Sequence, residues 1–160
     1  MYNPSLQKVV ADNEERAILG MAPMLCTLDA AYGVGSAVVW IIPQLHDLCA
    51  AVGVKNKLDD GQLKQLAQMI RDEFGYLKAT EVMLFLWKLK AGHYGEFYGS
   101  VDIQRIMRAL RNRYIDYRNK ILDRYDADKR DRERQERAKN ALTPEQIKEL
   151  KKRLLNDGQE

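Results

Sequence analysis

Along one stretch of this chain, Ile103, Ile106, Leu110, Tyr114, Tyr117, Ile121 and Tyr125 recur at intervals of three and four. Side chains at that spacing share one face of an α-helix but scatter over both faces of a strand, so only a helix can bury them together. A helix with such a stripe needs other elements to cover it, and the rest of the sequence supplies helices. β-Branched residues form no alternating runs, and only four prolines interrupt 160 residues. That length suffices for one buried core. With 46% apolar and 31% charged residues, the composition is that of a folded domain with a charged surface.

Asn3 before Pro4 marks a helix start. Leu6, Val9, Val10 and Ala17 then predict an amphipathic helix reaching about Gly20. Pro23 and the segment Tyr32-Gly33-Val34-Gly35 bracket a short helix or irregular link. Ser36 is expected to cap an apolar helix from Ala37 to Val52, buried on most sides and followed by Gly53. Pro43 within it must kink or split it, because its ring removes a hydrogen bond. Asp59 or Asp60 opens the next helix, with Leu63, Leu66, Ile70 and Phe74 on one face and Gly75 at its end. Thr80 is expected to cap a helix whose body, Val82 to Trp87, is apolar nearly all round and therefore central to the core. Gly92 stops it, and the long striped helix starts near Ser100 or Asp102.

Beyond Tyr125 the stripe ends. Residues 126–139 mix Arg, Lys, Asp and Glu without an apolar face, which predicts a solvated helical extension or a flexible linker. Thr143-Pro144-Glu145-Gln146 has the form of a capping box. Ile147, Leu150 and Leu154 line one face of a last helix too short to be stable alone. The expectation is thus an all-α chain: a compact multi-helix core domain over residues 1–125, a charged linker or helical extension over 126–142, and a short C-terminal amphipathic helix over 143–160. That last helix is expected to dock on the body, on a second copy or on a partner.

Several chemistries find little support. Cys26 and Cys49 cannot form a disulfide framework, the acidic start at Asp12, Glu14 and Glu15 does not resemble a secretory signal, and the longest apolar run, Val34 to Ile42, is about half a membrane span. A cytoplasmic protein with no membrane contact is expected. Cys26, His46, Cys49 and His93 are the soft metal ligands, and they lack the paired spacing of zinc modules, so no metal and no cofactor are expected. Between Gly92 and Gly99, His93 sits near Tyr94, Glu96, Tyr98 and Asp102, the one polar cluster that could form a catalytic site. The same residues make a sound structural turn, with Gly92, Gly95 and Gly99 shaping the backbone, Tyr94, Phe97 and Tyr98 packing it down, and Asp102 leading into the next helix. The structural role is the stronger, so no catalytic residue is assigned. The glycine spacing matches neither a P-loop nor a dinucleotide fingerprint.

The surface candidate lies just after the turn. Arg105, Arg108, Arg111, Arg113, Arg118 and Lys120 face only Asp116 as an acid in that interval. Guanidinium groups hold phosphates and carboxylates through paired hydrogen bonds. Such a basic helix suits the backbone of DNA or RNA without base specificity, or an acidic protein partner. A net charge of +3 permits either.

The stretch from Phe74 to Leu86, and then Lys88 to Asp102 with its Lys-x-Gly-x-Tyr-Gly-x-Phe-Tyr-Gly-x-x-Asp pattern, resembles an uncharacterised helical family found on phages, plasmids and integrated elements of gut anaerobic bacteria. The resemblance spans Leu58 to about Tyr125. It implies a place in the biology of mobile elements, where small helical proteins serve replication as helicase loaders or replisome organisers, and others act in host takeover or defence evasion. Two expectations follow. One is a non-enzymatic adaptor of mobile-element DNA metabolism, helicase-loader-like, with DNA backbone on the basic helix and a replicative helicase or other protein on the C-terminal helix. The alternative is a protein-interaction module or inhibitor of a host factor that binds no nucleic acid, with Tyr117 and Tyr125 as interface anchors.

Overall fold

The structure is a computed structural model that describes residues 2–156, with side chains followed through Arg153. A 3₁₀ turn, Pro4–Leu6, leads into α1 (Gln7–Ala11), then α2 (Glu14–Leu19), α3 (Leu25–Tyr32), α4 (Ser36–Ala51), α5 (Asp60–Phe74) and α6 (Ala79–Lys90). α7 (Ile103–Ala109) passes through a π-helical turn, Leu110–Tyr114, into α8 (Ile115–Asn140), and α9 (Pro144–Asn156) follows. No strand occurs among the described residues, so the fold is all-α. The chain divides into two compact units, Met1–Ile121 and Leu122–Glu160.

In the first unit α6 is the central element, as its apolar circumference predicts. Glu81 to Leu86 are no more than 1% exposed, and α1, α2 and α4 pack around them. The helix starts two residues earlier than expected. Lys78 occupies the cap position, its N–H donating to the Glu81 carboxylate at 2.9 Å, while the Thr80 hydroxyl lies inside the helix and donates to the Ala17 carbonyl at 2.6 Å. The end of α6 is a Schellman motif: the N–H of His93 reaches the Lys88 carbonyl and that of Gly92 reaches Leu89. Gly92 takes a φ of 79°, which a side chain would strain.

The first expected helix is two. Asn13 leaves helical geometry and its side chain caps α2 by accepting from the Arg16 N–H at 2.9 Å. The expected apolar face is buried only in its second half: Leu6 and Val9 are exposed, while Ala17 and Ile18 are buried, and in the first half the polar Gln7 takes the buried position. Gln7 finds its partner in the buried Gln44, at 2.7 Å. α4 likewise differs from expectation. Ser36 is its first residue and makes no cap; the Ala37 N–H is held instead by Asp29 of α3, at 2.9 Å. Pro43 does not split α4, because it lies on a solvent face with Val39, His46 and Ala50, where water can take the carbonyl it frees. The other sides of α4 are buried, with Ala37, Val38, Ile41, Gln44, Leu45, Leu48 and Cys49 in the core.

α5 follows its prediction closely, with Asp59 and Gln62 forming a capping box and Leu63, Leu66, Ile70 and Phe74 buried. The striped helix follows with one adjustment. Successive steps of four, Ile106 to Leu110 to Tyr114, drift by about 40° each in a regular α-helix. The π-helical turn, closed by an Ile115 N–H to Leu110 carbonyl bond, advances less per residue and cancels that drift. Tyr114 therefore stays wholly buried, its ring edge-on to Phe85 at 5.6 Å. The buried stripe ends at Ile121; Tyr125 is exposed.

In the second unit, helix continues through the charged run as far as Asn140, and every described side chain from Asp123 to Arg153 is exposed. Opposite charges on neighbouring turns, such as Glu133 with Arg137, support it. The capping box at Thr143 is formed: its N–H donates to the Gln146 side chain at 2.9 Å and its hydroxyl accepts from the Gln146 N–H at 3.2 Å. Ile147 and Leu150 of α9 are exposed, and the Leu154 side chain lies outside the described residues.

Candidate functional site

The basic helix separates into residues held by the protein's own acids and residues that face a cleft. Arg111 forms a paired contact with Glu73 of α5 at 2.5 and 2.6 Å. Arg118 reaches Glu81 of α6 at 2.6 Å and lies 5.5 Å from the centre of the Tyr76 ring. Glu81 is fully buried, so Arg118 neutralises an acid that the core would otherwise have to accommodate alone. Both arginines thus tie the striped helix to its neighbours. Glu73 is held below the usual carboxylate range, first by the Arg111 hydrogen bond and then, against the effect of burial, by the charge of the same group.

Arg105, Arg108 and Arg113 line one cleft, of about 530 Å³, with Tyr94, Asp102, Gln104, Ala109 and Asn112. Arg105, Arg108, Ala109 and Asn112 share a helix face by their spacing. The π-helical turn brings Arg113 round towards the same face, for the geometric reason that keeps Tyr114 in the core. Among the described residues no carboxylate forms an ion pair with Arg105, Arg108 or Arg113. Lys120 is exposed and lies outside this cleft.

The Gly92–Gly99 turn contributes Tyr94 to the cleft lining and packs against Arg105. Phe97 is buried, and the Arg105 guanidinium sits 5.4 Å from its ring centre and 5.9 Å from that of Tyr98. Glycine at position 95 is favoured by its backbone conformation, and Arg105 lies close beside it. The φ of Gly95 is 94°, and a Cβ there would stand 3.0 Å from an Arg105 guanidinium nitrogen. Gly99 is joined to the segment before α5, its carbonyl accepting from the Asn56 N–H at 3.3 Å, and the Val101 N–H donates to the Asn56 carbonyl at 2.9 Å. Asp102 caps α7 by accepting from the Gln104 N–H at 2.8 Å. Tyr94 stacks on Phe85 at 5.6 Å, and burial pushes its hydroxyl well above the ordinary tyrosine value.

Three guanidinium groups and two amides line this concavity together with the Asp102 carboxylate; guanidinium groups without an acid paired to them can take a many-oxygened anion, of which phosphate is the commonest in biology. The arrangement differs from the nucleophile-and-base pattern. His93 is exposed, and among the described residues it shares no hydrogen bond with Tyr94, Glu96, Tyr98 or Asp102. Nor do Cys26, His46, Cys49 and His93 come together: Cys26 is exposed on α3 and Cys49 buried on α4, and no group of three or more metal-ligating side chains occurs among the described residues.

The sequence displays the arginines but carries no sign that Gln104 and Asn112 line a cleft, nor of which arginines meet an acid of the same chain. One signal did exist. An acid such as Glu81, opening a helix with no polar face, had to find a cation somewhere.

The fold is that of a small helical protein whose first unit carries an arginine-lined cleft, and no described helix is long and apolar enough to cross a membrane. Residues 57–157, more than half the chain, match a family of unknown function, DUF6633, and the chain belongs to it. The matched span includes α5 to α9, the turn and the whole cleft. No curated protein and no solved structure matches the chain.

Proposed function

We propose that the protein is a non-enzymatic nucleic-acid-binding adaptor that takes the phosphate backbone on Arg105, Arg108 and Arg113. The carrying observation is that these three arginines, unlike Arg111 and Arg118, face an open polar cleft without an acidic partner in ion-pair distance. Backbone contacts of this kind supply affinity and orientation without sequence preference. The resemblance of Lys90 to Asp102 to proteins of phages and plasmids supports placing this activity in mobile-element DNA metabolism, next to a replicative helicase or another replication protein. The exposed Ile147 and Leu150 on α9 are the surface such a protein partner would use.

Fluorescence anisotropy with labelled DNA and RNA across a salt series tests the proposal. The wild-type protein should bind at low salt, R105A/R108A/R113A should not, and R111A should bind like wild type once its fold is verified. Absence of wild-type binding at low salt, or full binding by the triple variant, refutes it.

A second reading, a protein-interaction module with no nucleic-acid ligand, draws on the exposed Met21, Tyr32, Val34 and Val39 around α3 and α4. Pull-down from host lysate with nuclease treatment separates the two. Partners lost on nuclease treatment favour the nucleic-acid adaptor.

A further inference from the structure

Tyr98 stands out among the residues around the cleft. It is 78% exposed, whereas its neighbour Phe97 is buried. An isolated exposed tyrosine is unremarkable on a protein surface, but this one is held in place. Phe97 anchors the turn beneath it, and the Ser100 N–H bonds the Tyr98 carbonyl at 2.9 Å. The next residues are tied through Gly99 and Val101 to Asn56. One side of its ring is approached by the Arg105 guanidinium, and the same side chain lines the arginine cleft. A phosphate receptor and an outward-facing aromatic ring are therefore linked through one residue.

We infer that the cleft is specific for single-stranded nucleic acid, with the backbone on Arg105, Arg108 and Arg113 and an unpaired base stacked on Tyr98. In a duplex the faces of the bases are covered by their neighbours, so a protein aromatic ring gains nothing from them. In a single strand each base offers an uncovered face, and stacking on an aromatic side chain adds to the backbone contacts without demanding a sequence. A loop whose backbone is already tied loses little freedom when a base settles on the Tyr98 ring. The amides of Gln104 and Asn112 in the cleft can hydrogen-bond a sugar or base edge of the same nucleotide.

This inference rests on the proposed phosphate site, and the experiment separates the two. Wild-type protein, Y98A, Y98F and R105A/R108A/R113A are titrated by anisotropy against a labelled oligothymidylate, the matching oligouridylate and a hairpin duplex, at fixed salt. Wild type should bind the single strands at least about tenfold more tightly than the duplex, Y98A should lose about tenfold on single strands, and Y98F should retain the preference. A difference between the thymidylate and uridylate arms then tells DNA from RNA. Equal or tighter binding of the duplex by wild type, with loss in the triple arginine variant, overturns the single-strand inference and leaves the phosphate site standing. Unchanged single-strand affinity in Y98A also overturns it. Absence of wild-type binding to all three probes overturns both. Because the Tyr98 side chain is exposed, loss of the fold is not an expected route to failure, and circular dichroism of each variant checks this.

Discussion

Replacing Arg118 by alanine strands the Glu81 carboxylate in the centre of the first unit, where Glu81 is 0% exposed and its other oxygen holds the Lys78 N–H. Breaking a buried ion pair from one side costs about 3–5 kcal/mol, since one charge is left without its counterpart. The Arg118 side chain retains 18% exposure, so water reaches the vacated site and the lower end applies. A loss of about 3 kcal/mol from a unit of this size lowers the melting temperature by roughly 10 °C. Thermal unfolding followed by far-ultraviolet circular dichroism measures it. The pair also yields a sharper test, because two apolar residues of similar volume can replace it at little cost. E81L/R118L should therefore recover most of the stability that R118A loses. A melting temperature within about 2 °C of wild type for R118A would refute the reasoning. So would a stable R118A that had lost nucleic-acid binding, because Arg118 would then belong to the interface.

Asp29 is held below the usual carboxylate range, first by the Ala37 N–H and then, against burial, by Arg71 at 2.6 Å. A folded value below the unfolded one gives stability that is present above about pH 4 and lost as the pH falls through the folded value. D29N should thus cost about 1.5 kcal/mol near neutrality, discounted for the partly exposed Arg71, and denaturant titrations should show the gap to wild type closing in acid. Among the described residues the buried Tyr114 hydroxyl has no hydrogen-bond partner, so Y114F should be neutral or stabilising by about 1 kcal/mol; a clear destabilisation in the same assay would refute this. G95A forces a side chain into a left-handed backbone against Arg105, and should weaken nucleic-acid binding in an anisotropy titration as well as lower the melting temperature by a few degrees. If the three cleft arginines each neutralise one phosphate, the slope of log affinity on log salt for a single strand is about −2, and R113A reduces its size by about 0.7. An unchanged slope in R113A would remove that arginine from the site.

Local chemistry made much of the fold readable. The stripe from Ile103 to Ile121, the capping boxes at Asp59 and Thr143, and the apolar circumference of α6 all act between residues a few positions apart. The failures share a cause of the opposite kind. Asp29 caps α4 from another helix, and Gln7 is buried because Gln44 waits for it 37 residues along the chain. No window of sequence contains both members of such a pair. The π-helical turn was written faintly in the two successive steps of four, but it takes a fixed buried position for Tyr114 to turn that spacing into geometry.

The sequence alone therefore determined that the chain is helical, which helix forms the centre of the core, and that arginines crowd one helix after a glycine-rich turn. Only the tertiary structure decided which of those arginines meet an acid of the same chain. Glu73 and Glu81 lie 38 and 37 residues before Arg111 and Arg118, and folding brings them into ion pairs across helices. Charge is a property of composition, whereas an unneutralised charge depends on which acid the fold places within a few ångströms. That is why the six basic residues looked alike in the sequence, and why only Arg105, Arg108 and Arg113 face the cleft.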